Sequence, residues 1–522
     1  MAALVEVYLR ALALSGQTLA VGGVLLGLLV LLPWRRGVST LHAPRVLTVT
    51  AAGSSVAAAA QAVILAVTLS RLAGDDGWRL DVALATPPVQ LGLGRVLGCA
   101  ALAWLAARLA RDPARRGGWL ALLLPALVAV GGAAGLSHAA ARIDGRALLL
   151  GLETVHHVAA AAWIGGLLQL LALGAAGGSW STVLVSRFSA LAAGAVVVQA
   201  ATGWALSAAF VTDVGTAVGT AYGAMIATKI VLVAGVAALG AANFWMARRG
   251  GDGAMPPRFR TLLEVEAALG GAVLFVAAAI AASPVAADVP VSDRATPGEV
   301  LQRFTPRRPS LATPSHAQLA EASALTDPTA PRTPADIAWS EYNHNVAGLA
   351  LLLMAMLATA ERSRLARLAR HWPLLFVTLS VFLLVRTDPE AWPSAGGGIW
   401  ATLADPEVLQ HRVLSLLPAA FGVFEWLVRT GRLRPRPWAL VFPSLCVVGG
   451  TLLLAHAHTT SDVKAAHLME ISHLPLGVLG IGVGAMRWLE LRLPAGGGRV
   501  PGRLWAPGLA LMGVLLLFYR EG

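Results

Sequence analysis

The sequence predicts an all-α fold, a polytopic transmembrane helical bundle of about 14 spans with both termini extracytoplasmic. Three observations lead there. Hydrophobic residues make up 57% of the 522 and charged residues only 13%, too little charge to cover a soluble protein of this length. Apolar runs long enough to cross a bilayer recur from one end to the other, in keeping with a mean hydropathy of +0.69. Arginines gather in alternate connecting segments, which is the charge bias of an inserted bundle.

The first span is expected at 4–32. Its Arg35–Arg36 pair follows the apolar run instead of preceding it, the reverse of a secretory signal peptide. Spans at 48–72, 90–110 and 119–137 come next, then 147–173, which carries paired histidines. Those at 185–211, 222–247 and 262–283 complete a first, eight-span domain over 1–283. Residues 284–338 hold nine prolines and predict an extended, poorly packed extracytoplasmic linker. A second, six-span domain over 339–522 follows, with spans at 339–360, 371–386, 408–428, 437–456, 465–489 and 503–519. Gly and Ala throughout favour close helix packing in lipid.

Segments after the odd-numbered spans hold 24 of the 40 Lys and Arg, among them Arg108, Arg111, Arg115 and Arg116. The positive-inside rule places those segments in the cytoplasm. The net charge of +12 is therefore a topology signal facing anionic lipid and not a nucleic-acid surface. Cys99 and Cys446 both fall in apolar runs, so neither a disulfide framework nor a thiolate metal site is expected.

Histidine segregates the opposite way. With this topology ten of the 12 lie outside or in the outer half of a span, and only His42 and His371 lie inside. The six-span domain concentrates them: His344 in "WSEYNHNVAGL", His411 early in its span, His456 and His458 closing another, and His467, Glu470 and His473 beginning the next. Steps of three residues place those last three within an arc of roughly 120° on one helix, with Pro475 just beyond. Four helix ends could thus direct neutral imidazoles and a carboxylate into one outward-facing cavity, a donor set that suits Cu, Zn, Ni or Fe. The ordinary alternative is that interfacial histidines such as His456, His458 and His467 are simply solvated. His473 and Glu470, deeper in the span, need a buried purpose.

In the eight-span domain, "LLGLETVHHVAAAAWIGGLLQL" carries Glu153, His156 and His157, with His138 just before. Adjacent helical residues point about 100° apart, so only one of His156 and His157 is expected to face a given site. Lys229, one of two lysines, either snorkels or pairs with a carboxylate. Gln199 is expected to bond a neighbouring helix, and Met354, Met356 and Met469 to pack first and to serve as soft ligands second. His316, in the linker, is expected to have no role.

The stretches "HHVAAAAWIGGLLQL", "SRFSALAAGAVVVQAATGWALSAAF" and "YGAMIATKIVLVAGVAALGAANF" together resemble the copper resistance protein D (CopD) family of bacterial inner-membrane proteins. The resemblance covers roughly 150–283, and the six-span domain is similar to a C-terminal extension of some longer members. It implies a multi-pass cell-membrane protein that moves or tolerates copper, with a separate periplasmic copper-binding protein (CopC-like) as donor. It marks His156, His157, Trp163 and Lys229 as motif positions. No enzymatic activity is expected, and no ATP-binding loop or phosphorylatable Asp-Lys-Thr-Gly motif is visible. Two alternatives remain: a haem b electron-transfer protein ligated by pairs among His344, His411 and His473, and a copper-delivery factor for oxidase assembly.

Overall fold

The computed structural model describes residues 2–33, 39–75, 77–175, 180–249, 255–315, 318–319, 333–361, 369–388, 391–392, 398–404, 406–433, 435–454, 462–494 and 496–521. Among these residues every regular element is helical, with no strand. Twelve helices among the described residues are long and apolar enough to cross a membrane, and two shorter apolar helices stand where the tenth and twelfth spans were expected. We number the main α-helical stretch of each of these fourteen in order; the spans of the fourth and fifth run on over Arg116–Gly135 and Arg146–Gly174. They are α1 (Ala2–Leu26), α2 (Ser39–Ser70), α3 (Pro87–Leu109), α4 (Leu123–Gly135), α5 (Arg146–Ala160), α6 (Thr182–Phe210) and α7 (Ala221–Arg249). There follow α8 (Pro257–Ala282), α9 (Pro334–Ala360), α10 (Leu374–Arg386), α11 (Pro406–Arg429), α12 (Val441–Leu453), α13 (Val463–Arg492) and α14 (Arg499–Leu517). With 13 residues each, α10 and α12 reach about 20 Å at 1.5 Å per residue, short of a full hydrocarbon core.

Local chemistry sets where the helices begin. Ser181 accepts a hydrogen bond from Leu184 N at 3.2 Å to start α6. Thr333 and Asp336 form a capping box, with Pro334 at the first helical position, to start α9. Asp462 accepts from Ala465 N at 2.9 Å to start α13.

The described residues fall into two compact units, one of Ala2–Thr212 and Lys229–Val285, the other of Asp213–Thr228 and Ala286 onward. In the first, α1 packs on α2, α2 on α3, and α5 on α6. A π-helical segment, Ala161–Gly165, continues α5 before Gly166–Ala175. It lies backbone to backbone against α1: a Cβ on Gly165 would stand 2.0 Å from Thr18 O, so only glycine permits the approach. The core gathers Leu26, Leu47, Leu102, Trp119, Leu122, Leu170 and Phe259. In the second unit α9 packs on α14, α13 on α12 and α14, and α10 on α11, around Trp372, Phe376, Phe421, Phe442 and Trp505.

The start of the Pro-rich segment departs from the extended, poorly packed tether that its composition suggests. A capping box of Thr296 and Glu299 opens a short helix, Pro297–Arg303. Ala295 N bonds Gly219 O at 3.0 Å, and Ala295 and Val300 bury against Ala224, Leu468 and Ile471. Apolar side chains between the prolines give this stretch something to bury.

Candidate functional site: histidines of α5, α9 and α13

In the first unit the site is built on α5 and α6. His156 is held at both nitrogens. Its Nδ1 lies 2.9 Å from Thr202 Oγ1, and its Nε2 lies 2.6 Å from Gln199 Nε2. The Thr202 hydroxyl donates its own hydrogen to Val198 O at 2.7 Å. It must therefore accept from His156, which puts the ring proton on Nδ1 and the lone pair on Nε2, where the Gln199 amide donates. A Cβ on Gly203 would sit 3.2 Å from His156 Cε1, so the absent side chain makes room for the ring. Gln199, Thr202 and Gly203 lie three and four residues apart and form one cradle on one face of α6.

His157 turns away, its Nε2 3.6 Å from Glu153 Oε1 one turn earlier. Lys229 lies within electrostatic reach of Glu153, His156 and His157, which joins three ionisable side chains of α5 to one of α7. Trp163 is buried in the π-helical segment. Deeper polar ties brace the unit: Arg95 donates to Gln17 at 3.0 Å and Gln61 at 2.7 Å, and Asn243 donates to the buried Glu266 at 2.8 Å. His138 stays apart, with Nε2 3.4 Å from Ile280 O.

In the second unit the histidines expected to share one cavity have separate partners. His411 Nδ1 pairs with Asp388 Oδ1 at 2.6 Å, while Arg412 holds Asp388 Oδ2 at 3.0 Å. His467 Nε2 donates to Val218 O at 2.8 Å, and its buried Nδ1 has no hydrogen-bond partner among the described residues. His344 and His473 do come together, with ring centroids 5.7 Å apart, beside Tyr519. Glu470, three residues from both His467 and His473 along α13, is half-buried. No group of three or more His, Cys, Asp or Glu suited to a metal ion forms among the described residues. Asp388 and Val218 engage His411 and His467, while His344 and His473 stand together. His316, His456 and His458 lie outside the described residues.

Residues 182–280 match the family model described as copper resistance protein D (CopD). This is a CopD-family region. It runs through α6, α7 and most of α8, and contains Gln199, Thr202, Gly203 and Lys229, whereas α5 with His156 and His157 precedes it. No curated protein and no solved structure matches the chain. Sequence reasoning expected Gln199 to bond a neighbouring helix, as it does, but did not connect it to His156. The Gln-x-x-Thr-Gly spacing on one helical face was the available signal. Asp388 and Tyr519 were missed, each alone in its segment and without a periodic pattern.

Proposed function

We propose that this multi-pass membrane protein moves or accepts copper from the extracytoplasmic side of a bacterial inner membrane, acting as a carrier and not as an enzyme. The observation that carries the proposal is the cradle around His156, made by residues of the CopD-family region. An imidazole whose Nδ1–H is fixed by a hydroxyl presents Nε2 in a defined direction, the orientation that outer-shell bonds give to metal-ligating histidines. In the resting state the Gln199 amide occupies that lone pair. Copper takes it only by displacing the amide, so the exchange favours brief occupancy over storage. Lys229, Glu153 and His157 supply ionisable groups in the same membrane region, where such groups mark ion pathways. A separate periplasmic copper-binding protein is the donor this reading calls for.

The test is copper accumulation in cells expressing His156→Ala/His157→Ala at matched membrane levels. Accumulation should fall to that of cells lacking the protein. Accumulation at the wild-type level would reduce the cradle to a packing feature and remove the proposal.

A further inference from the structure

Arg95 on α3 carries a buried charge that the copper reading does not use. It stands eight residues into its helix, roughly 12 Å along at 1.5 Å per residue, and is 8% exposed. Its Nε donates to Gln17 Oε1 on α1 at 3.0 Å, and its Nη1 to Gln61 Oε1 on α2 at 2.7 Å. A guanidinium has five N–H groups and no acceptor, so these bonds use two of the five and Nη2 takes part in neither. No carboxylate pairs with Arg95 among the described residues. The charged side chain that acts on it is Arg10, which Glu6 already holds at 2.6 Å. Helix packing accounts for two neutral hydrogen bonds. It does not account for a full positive charge inside a span without a counter-charge, because such charges are paired.

The two glutamines add donors. Each is 3% exposed and gives its oxygen to Arg95. That leaves each NH2 group for another partner, and neither has one among the described residues. Gly92, one turn before Arg95 on the same face of α3, marks where one of these groups stands. A Cβ there would meet only Leu65 Cδ1 at 3.4 Å and Gln61 Nε2 at 3.5 Å. The Gln61 amide nitrogen thus lines the gap left by the missing side chain.

We propose that Arg95, with the amide N–H groups of Gln17 and Gln61, binds one chloride ion among α1, α2 and α3. The three side chains supply one positive charge and N–H donors from three helices, while both amide oxygens are engaged by the arginine. Such a site offers hydrogens and no acceptor, which suits an anion that only accepts. A single halide balances a single guanidinium with no O–H to satisfy and no chain to accommodate. Arg95 lies within electrostatic reach of His157. On the proposed copper route the bound anion cancels a positive charge near α5 that opposes an arriving cation. The site itself rests on α1, α2 and α3 alone.

The experiment is equilibrium dialysis of the purified full chain against radiolabelled chloride, in buffer whose other anion is gluconate, with thermal unfolding followed as chloride is raised. The unaltered protein should hold one saturable equivalent, and its midpoint should rise with chloride, as binding to the folded state requires. Arg95→Gln should lose that equivalent. Gln61→Glu is the decisive variant, because it sets a carboxylate on the arginine in nearly the same shape. It should fold, bind no chloride and unfold at a midpoint indifferent to chloride. No saturable equivalent in the unaltered protein, or full retention of it in either variant, would overturn the site. Displacement of chloride by phosphatidylglycerol in nanodiscs, with none by bromide, would assign the donors to a lipid headgroup and overturn the choice of ligand. Copper transport and this site fail separately: accumulation reports on His156 and His157, chloride stoichiometry on Arg95 and Gln61.

Discussion

At the scale of single residues, the roles of Gln199 and Thr202 can be separated because they hold opposite sides of one ring. Gln199→Leu frees the Nε2 lone pair of His156 and should tighten copper binding at α5 while slowing net accumulation. Thr202→Val removes the acceptor for Nδ1–H. Stranding that buried donor should cost about 1–3 kcal/mol of stability and weaken copper binding by roughly 10–100-fold, as lost outer-shell support does. Thermal unfolding and copper titration of the two variants, side by side, would show the opposite signs; a shared sign would mean that neither bond orients the ring. The sequence made His156 and His157 legible as alternatives, since neighbours on a helix diverge. Which of them faces α6 was not legible, because that depends on the rotation of α5 against a helix some 45 residues later, with Thr202 46 positions away.

At the scale of elements, the spans were legible because a bilayer demands long apolar helices. The buried polar ties between them were not. Arg429 and Arg487 read in the sequence as orientation charges. In the structure they close a network: Glu425 Oε1 accepts from Arg429 at 2.7 Å and Arg487 at 3.0 Å, Arg429 also pairs with Glu361, and Arg487 bonds Glu490 at 2.6 Å. Glu425 is 1% exposed and ties α11 to α13. Glu425→Ala removes the carboxylate that the two guanidinium groups share while Glu361 and Glu490 still pair with them, so the lost buried acceptor costs about 1–3 kcal/mol. A lower thermal midpoint is expected; an unchanged midpoint would mean that the network contributes little to stability. A second tie is exposed. Lys464 lies 2.6 Å from Glu299 and is the main cause, ahead of the Thr296 backbone and hydroxyl, that holds the Glu299 carboxyl down from 4.5 to about 2. A depressed carboxyl stabilises the fold above its unfolded value, and that contribution is lost as pH falls from about 4.5 through about 2. Amide protection of the Pro297–Arg303 helix, corrected for intrinsic exchange, should weaken across that window and not above it. Lys464→Met should narrow the window; the same profile in both proteins would show that the ion pair does not hold the helix.

At the scale of the whole molecule, every directional statement depends on orientation, which rests on charge. Lys and Arg concentrate in segments after odd-numbered spans while histidine concentrates near the others, and only the first bias is explained by lipid electrostatics. If the histidines face the side from which copper arrives, the segments at 138–146 and 284–338 are extracytoplasmic and 110–118 is cytoplasmic. Exposed positions report on this cleanly: Ile143 is 93% and Leu311 70% exposed, and Arg115 is exposed between α3 and α4. Cys99 is buried, and Cys446 lies within the apolar α12, so the native thiols give little background. Single cysteines at 143 and 311 should react with an impermeant thiol reagent in intact cells, and one at 115 only after the membrane is opened. The reverse pattern would turn the imidazoles toward the cytoplasm. Copper would then be leaving through His156, and the same cradle, with the same Gln199 displacement, would describe export.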